Sequence, residues 1–105
     1  MDIIFQDFLN WINSKKVLWG KTGLSIDEIV ESNHAHQIHI NLHSEDGFGH
    51  IALYESNEIY WVEFEAAVRE FENFYKYFEF ESLPCFDEVE NEYIGFMTGR
   101  NTKNI

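Results

Sequence analysis

The segment IYWVEFEAAV alternates without a break. Tyr60, Val62, Phe64, Ala66 and Val68 fall on one side of an extended chain, and Ile59, Trp61, Glu63 and Glu65 on the other. The pattern resumes in FYKYFEFES, where Phe74, Phe78 and Phe80 oppose Tyr75, Tyr77, Glu79 and Glu81. A single helix over EFEAAVREFENFYKYF competes with this reading, because Ala, Glu and Arg suit helices. The period of two rejects it, and a turn near Glu72-Asn73 would fold the segment into a hairpin. A period of two dictates a sheet with one apolar face and one face of rings and carboxylates. The apolar face then requires a cover.

The two ends of the chain supply that cover. In DIIFQDFLNWINSKK, Ile4, Phe5, Phe8, Leu9 and Ile12 recur at helical spacing, with Asp2 at the start and Lys15 and Lys16 at the end, as the helix dipole prefers. VLWGKTG reads as a connection broken by Gly20 and Gly23, and Trp11 and Trp19 as core or core-edge residues. Near the other end, Phe86, Val89, Glu90, Tyr93 and Met97 share a helical face. Ser82 or a neighbour would cap this helix, Pro84 fits its first turn, Gly99 stops it, and RNTKNI follows as a frayed tail. Between the helices, LSIDEIVESN reads as a strand or a short helix over 25–31. AHQIHINLHS reads as a strand with Ile38, Ile40 and Leu42 inward and His39, Asn41 and His43 outward. SEDG turns into FGHIALYE, and SNE turns again. The expected class is α+β: a meander of four to five antiparallel strands with an N-terminal and a C-terminal helix packed on one face. One domain would span residues 1–105.

Charge narrows the partners. The formal net charge is −12, and 11 acids against Arg69 and Lys76 lie between Glu58 and Glu92. Phosphate neutralisation needs Lys and Arg, so direct nucleic-acid binding and anionic membranes are disfavoured, and a basic partner is favoured. No segment approaches the ~20 apolar residues of a membrane span. The N-terminus lacks the basic and apolar regions of a signal peptide, and the lone Cys85 cannot form an internal disulfide, so a cytoplasmic location is expected.

Several constellations could carry chemistry. All five histidines fall between His34 and His50. His39 and His43 point together on one strand, and His34 and His36 can share a face. With nearby carboxylates such imidazoles could hold zinc or nickel, or form an acid–base couple; exposed strand positions beside a turn explain them as well. Glu63, Glu65, Glu79 and Glu81 would gather on the outer hairpin face. There they would form a docking surface, a solvated face that resists aggregation, or a paired-carboxylate site, at a mild cost in like-charge repulsion. Trp61, Tyr75 and Tyr77 join them, and rings with polar tips are enriched at protein interfaces. Cys85, at an expected helix start, would need a neighbouring histidine to act as a nucleophile. Gly47-Phe48-Gly49 lacks the strand-to-helix context of a phosphate loop and reads as a turn. No combination of nucleophile, base and orienter stands at a recognisable spacing, so neither an enzyme nor a bound cofactor is expected. The alternative is a small metal-dependent or acid–base enzyme built on His39, His43 and the glutamates.

Three blocks, MDIIFQDFLNWINSKK, IYWVEFEAAVRE followed by FYKYFEFES, and FDEVENEYIGFM, resemble the small acidic immunity proteins of contact-dependent growth inhibition and polymorphic toxin systems. The likeness is to the TriTu immunity family. It implies a cytoplasmic protein that binds and blocks a cognate toxin domain, a tRNA-cleaving nuclease that associates with elongation factor Tu. No contact residues follow from the resemblance. The face analysis supplies the candidates: Trp61, Glu63, Glu65, Tyr75, Tyr77, Glu79, Glu81, His39 and His43.

Overall fold

A computed structural model describes residues 3–32, 36–68 and 72–99. Asp2, His34, Arg69 and the RNTKNI tail, named above, lie outside the described residues. The element order is α1 (Ile3–Thr22), β1 (Ser25–Ser32), β2 (Gln37–His43), β3 (Gly47–Ser56), β4 (Ile59–Val68), β5 (Glu72–Phe80) and α2 (Asp87–Thr98). The five strands form one antiparallel sheet in the order β1-β2-β3-β4-β5, as a meander requires. The expected α+β class holds, with strand rather than helix at 25–31. The hairpin reading of Tyr60–Glu81 also holds, but Glu72 and Asn73 belong to β5 rather than to a turn.

α1 runs past Lys16 to Thr22, which corrects the expected connection at Val17–Gly23. The reason is that the apolar stripe does not stop: Phe8, Ile12 and Trp19 stay on one face at spacings of four and seven, and all three are buried. Gly20 is tolerated inside the helix. Gly23 ends it with φ +101°, where Gly23 N–H donates to the Gly20 carbonyl (3.2 Å) and Leu24 N–H to the Trp19 carbonyl (3.0 Å). This pair of bonds is a Schellman cap. α2 also starts later than expected, at Asp87, with Phe86 as its unassisted N-cap; Ser82 and Pro84 precede it. Packing sets that start. The Phe86 ring is buried against Trp11 (4.9 Å between centroids), Phe64 (5.7 Å) and Phe8 (6.3 Å). Asp87, Glu88 and Glu90 then complement the dipole in place of a capping side chain. Gly99 closes the helix in the left-handed conformation, as expected.

Both helices cover one face of the sheet. Ile38, Ile40, Leu42, Ile51, Leu53, Val62 and Phe64 point into this core with Phe8, Ile12, Trp19, Tyr93 and Met97. A buried carboxylate joins the helices: Glu90 accepts from Trp19 Nε1 (2.8 Å) and pairs with Lys15 Nζ (3.2 Å). The SNE turn is a two-residue hairpin with Asn57 (φ 53°) and Glu58 (φ 67°) both left-handed, the geometry that matches strand twist. Gly47 and Gly49 lie in β3 rather than in a turn. A Cβ on Gly47 would come within 2.1 Å of the Ala67 carbonyl oxygen, and one on Gly49 within 2.1 Å of the Tyr93 hydroxyl oxygen. That hydroxyl donates to the Glu65 carbonyl at 2.7 Å, so Gly49 makes room for the tie between α2 and β4.

Two consequences are measurable by urea unfolding. Gly49→Ala is expected to destabilise by about 1–3 kcal/mol through overpacking, whereas Gly20→Ala, with open space around it, gains about 0.5–1 kcal/mol of helix propensity. Glu90→Ala, which strands the Trp19 and Lys15 donors, costs about 2–3 kcal/mol. Glu90→Gln retains an acceptor for Trp19 and loses less.

Candidate functional site

The face opposite the helices is a grid set by strand register. Four transverse rows cross it: Ser32, Gln37, Tyr54, Trp61, Glu79; then Val30, His39, Ala52, Glu63, Tyr77; then Glu28, Asn41, His50, Glu65, Tyr75; then Ser25, His43, Phe48, Ala67, Asn73. The candidate residues therefore share a face, but not as a block of acids. Glu63 stands opposite Tyr77, Glu65 opposite Tyr75 and Glu79 opposite Trp61. Each carboxylate meets a ring across the hairpin, so the expected like-charge cost is avoided rather than tolerated. Glu81 lies just beyond the end of β5 and is exposed.

Glu63 organises the centre. Its Oε2 accepts from the Tyr75 hydroxyl at 2.7 Å, and its carboxylate also accepts from Tyr54. The Tyr75 hydrogen bond, with partial desolvation and the Glu63 charge, pushes that phenol up to about 12. Burial, then the charge and hydrogen bond of Glu63, pushes Tyr54 up to about 12 as well. Tyr54 stacks on Trp61 with centroids 5.3 Å apart and planes 19° from parallel, and the His39 ring meets Tyr54 edge-on at 5.5 Å. Four rings, two of them phenols, thus gather around one carboxylate, with the small Ala52 as the floor between His39 and Glu63.

The histidines separate. His39 Nε2 lies 2.8 Å from Gln37 Oε1, and its Nδ1 lies 2.9 Å from His50 Nε2. With the Gln37 oxygen as acceptor, His39 carries its proton on Nε2, and His50 donates to Nδ1. Burial, then the neighbouring His50, lowers the His39 pKa against the pull of Glu63. His43 instead pairs through Nδ1 with Asp27 Oδ1 at 2.6 Å, beside a bulge in β1. His36 turns away to Glu55 at 2.8 Å, and His34 lies outside the described residues. His39 and His43 thus share the face but serve different partners. Among the described residues, no group of three or more His, Cys, Asp or Glu side chains is placed to hold a metal ion. Cys85 is exposed.

Sequence reasoning did not single out Tyr54, His50 or Phe48 for this face. Alternation in FGHIALYE puts all three on one side, and that signal was present. What it could not show was which strand lay beside β3, and so which glutamates these rings would meet. Phe48 is 76 % exposed, the most exposed ring among the described residues. Trp19, by contrast, is 1 % exposed in the core and gives this face no cover.

The network makes stability depend on pH at both ends. A His39 pKa below 6.5 contributes stability that is present above 6.5 and is lost as pH falls below it. The raised phenols contribute stability that is complete below pH 10 and is lost as pH rises from 10 towards about 12. The urea midpoint is therefore expected to fall on either side of this range. In a spectroscopic titration, Glu63→Gln should bring the delayed phenolate absorbance back towards the ordinary tyrosine range.

No described helix is long and apolar enough to cross a membrane. No curated protein and no solved structure gives a significant match to this chain. A family model does: that of the immunity protein TriTu, over residues 6–96, which runs from the first turns of α1 through most of α2 and includes every strand. With the match reaching across both helices and the whole sheet, the chain belongs to the TriTu immunity protein family.

Proposed function

We propose that this protein is a non-enzymatic inhibitor that neutralises a cognate toxin by laying the outer face of its sheet over the toxin's basic active-site cleft. The observation that carries this reading is the interleaving on that face. Glu63, Glu65 and Glu79 each stand opposite a ring of Tyr77, Tyr75 or Trp61, beside strands that hold Tyr54, His39 and Phe48 outward. Rings that bury area with little loss of rotamer freedom suit the desolvated centre of an interface, and carboxylates around them supply steering and register. The family gives the partner its general kind, a toxin.

The finer reading is that the toxin is a nuclease acting on tRNA. Such an enzyme must hold phosphates, and a cleft built for phosphates is basic. A partner of net charge −12 is drawn to such a cleft over several ångströms, and its carboxylates can occupy the phosphate positions. In this reading the protein works in the cytoplasm as one domain, contacts no nucleic acid itself, and meets the toxin alone or in a complex with elongation factor Tu. Trp61, Glu63, Glu65, Tyr75, Tyr77, Glu79 and Glu81 form the main contact, with His39 and His43 at its β2 margin.

The test is co-purification with a candidate toxin domain, followed by tRNA cleavage with and without the protein. Wild type is expected to abolish cleavage at a one-to-one ratio. Replacing Glu63, Glu65, Glu79 and Glu81 together by Lys is expected to slow association by roughly tenfold or more at low salt and to flatten its salt dependence. Unchanged kinetics would place the interface on another surface.

A further inference from the structure

At one end of the outer face, the grid leaves a gap. Phe48 on β3 and Asn73 on β5 are separated by Ala67, whose side chain is a single methyl group, and the next row brings His50, Glu65 and Tyr75. These six residues line a shallow groove of about 370 Å³. One wall is the 76 % exposed Phe48 ring, and the other is the 55 % exposed ring of Tyr75. β3 and β5 lie two strand spacings apart, roughly 9–10 Å. Phe48 and Tyr75 stand one row apart, so a flat group reaching from one ring to the other lies diagonally over Ala67 and Glu65 of β4.

The two glutamates beside the groove are not equivalent. Glu63 is engaged by the Tyr54 and Tyr75 hydroxyls. The Glu65 backbone carbonyl serves Tyr93, and its carboxylate acts on the Tyr54 and Tyr75 phenols through its charge rather than through a hydrogen bond. Glu65 therefore brings negative charge to a groove flanked by two exposed rings.

We propose that this groove receives one arginine side chain of the toxin, with its guanidinium between Phe48 and Tyr75 and its N–H groups on the Glu65 carboxylate. The proposal rests on the docking reading above and adds the recognition element at its β3–β5 end. Arginine is favoured over lysine because its planar, weakly hydrated cation stacks on rings and meets a carboxylate through two parallel N–H bonds, whereas an ammonium is a compact point charge. Phe48 then has a purpose that its position does not otherwise supply, since an exposed phenylalanine on a strand contributes nothing to the core.

The test has two arms. In the first, Nα-acetyl-arginine amide at millimolar concentration is titrated into the protein and followed by NMR, with the neutral citrulline and the cationic lysine counterparts as controls. Arginine is expected to shift the Phe48 and Tyr75 ring signals and the Glu65 carboxyl signal saturably. Lysine should do so more weakly and citrulline not at all, and Glu65→Gln or Phe48→Ala should abolish the response. Equal responses to arginine and citrulline, or shifts spread over Glu63 and Glu79 without preference for Glu65, would overturn the groove. In the second arm, Phe48→Ala and Glu65→Gln are measured against the toxin domain that co-purifies with the protein, and each is expected to weaken binding at least tenfold. Both substitutions are on the exposed face, and circular dichroism verifies the fold. Full-strength binding by both variants overturns the groove while leaving the docking face intact. Arginine capture by a protein that forms no toxin complex removes the docking reading while leaving the groove.

Discussion

Register between β3, β4 and β5 is the constraint on which the rest of this molecule depends. The pairing runs without a slip from Gly47–Val68 to Ser56–Ile59, and again from Tyr60–Phe80 to Val68–Glu72. A shift of one residue would turn Phe64 and Val62 to solvent and carry Glu63 and Glu65 into the core. That exchange is prohibitive on both counts, since it exposes the apolar side chains and buries unpaired charge. Hairpin geometry adds to the lock, because the left-handed pair Asn57-Glu58 admits only two residues between Ser56 and Ile59. Among the described residues, register is irregular only in β1, between Ile26 and Glu28, where Asp27 stands beside His43 at the far margin of the sheet.

The helices answer to the sheet rather than to their own caps. α2 has no capping side chain and opens where Phe86 reaches the ring cluster of Trp11, Phe64 and Phe8. Its far end is tied by Ser44, whose hydroxyl donates to the Met97 carbonyl at 2.5 Å while accepting from the Asp46 and Gly47 amides. Its middle is tied by Tyr93 to the β4 backbone and by Glu90 to Trp19 and Lys15 of α1. Buried polar groups of this kind add little net stability when satisfied, but they penalise every arrangement that separates them. They fix the helices over one face, so that among the described residues no helix covers the other.

That uncovered face combines two properties that usually conflict. It carries rings, which favour association, and a dense negative charge, which opposes association with itself. Alternation resolves the conflict, since across the hairpin Glu63, Glu65 and Glu79 each stand opposite a ring rather than another acid. The charge discourages self-pairing and non-specific clustering. The rings remain available to a partner that brings positive charge. For a protein of an immunity family, selectivity of this sort suits the task of binding one toxin tightly and little else.

Much of this was legible in the chain before any coordinates. The period of two in Ile59–Val68 and Phe74–Glu81, the helical stripes ending in Ile12 and Met97, and the acidic balance follow from local chemistry, so they determined the strands, the helices, the α+β class and the negative charge of the outer face. The ends of elements were less legible. Trp19 extended α1 and Phe86 delayed α2 because burial against distant residues outweighed local breaker and cap signals. Which side chains meet was decided by the tertiary structure alone. Alternation says that His39, Glu63 and Tyr75 face outward, but only strand order and register put Tyr75 on Glu63, His50 on His39, and Phe48 across Ala67 from Asn73. The physical reason is range: a side chain's direction is set by its own backbone, whereas its neighbours are set by pairings between strands far apart in sequence.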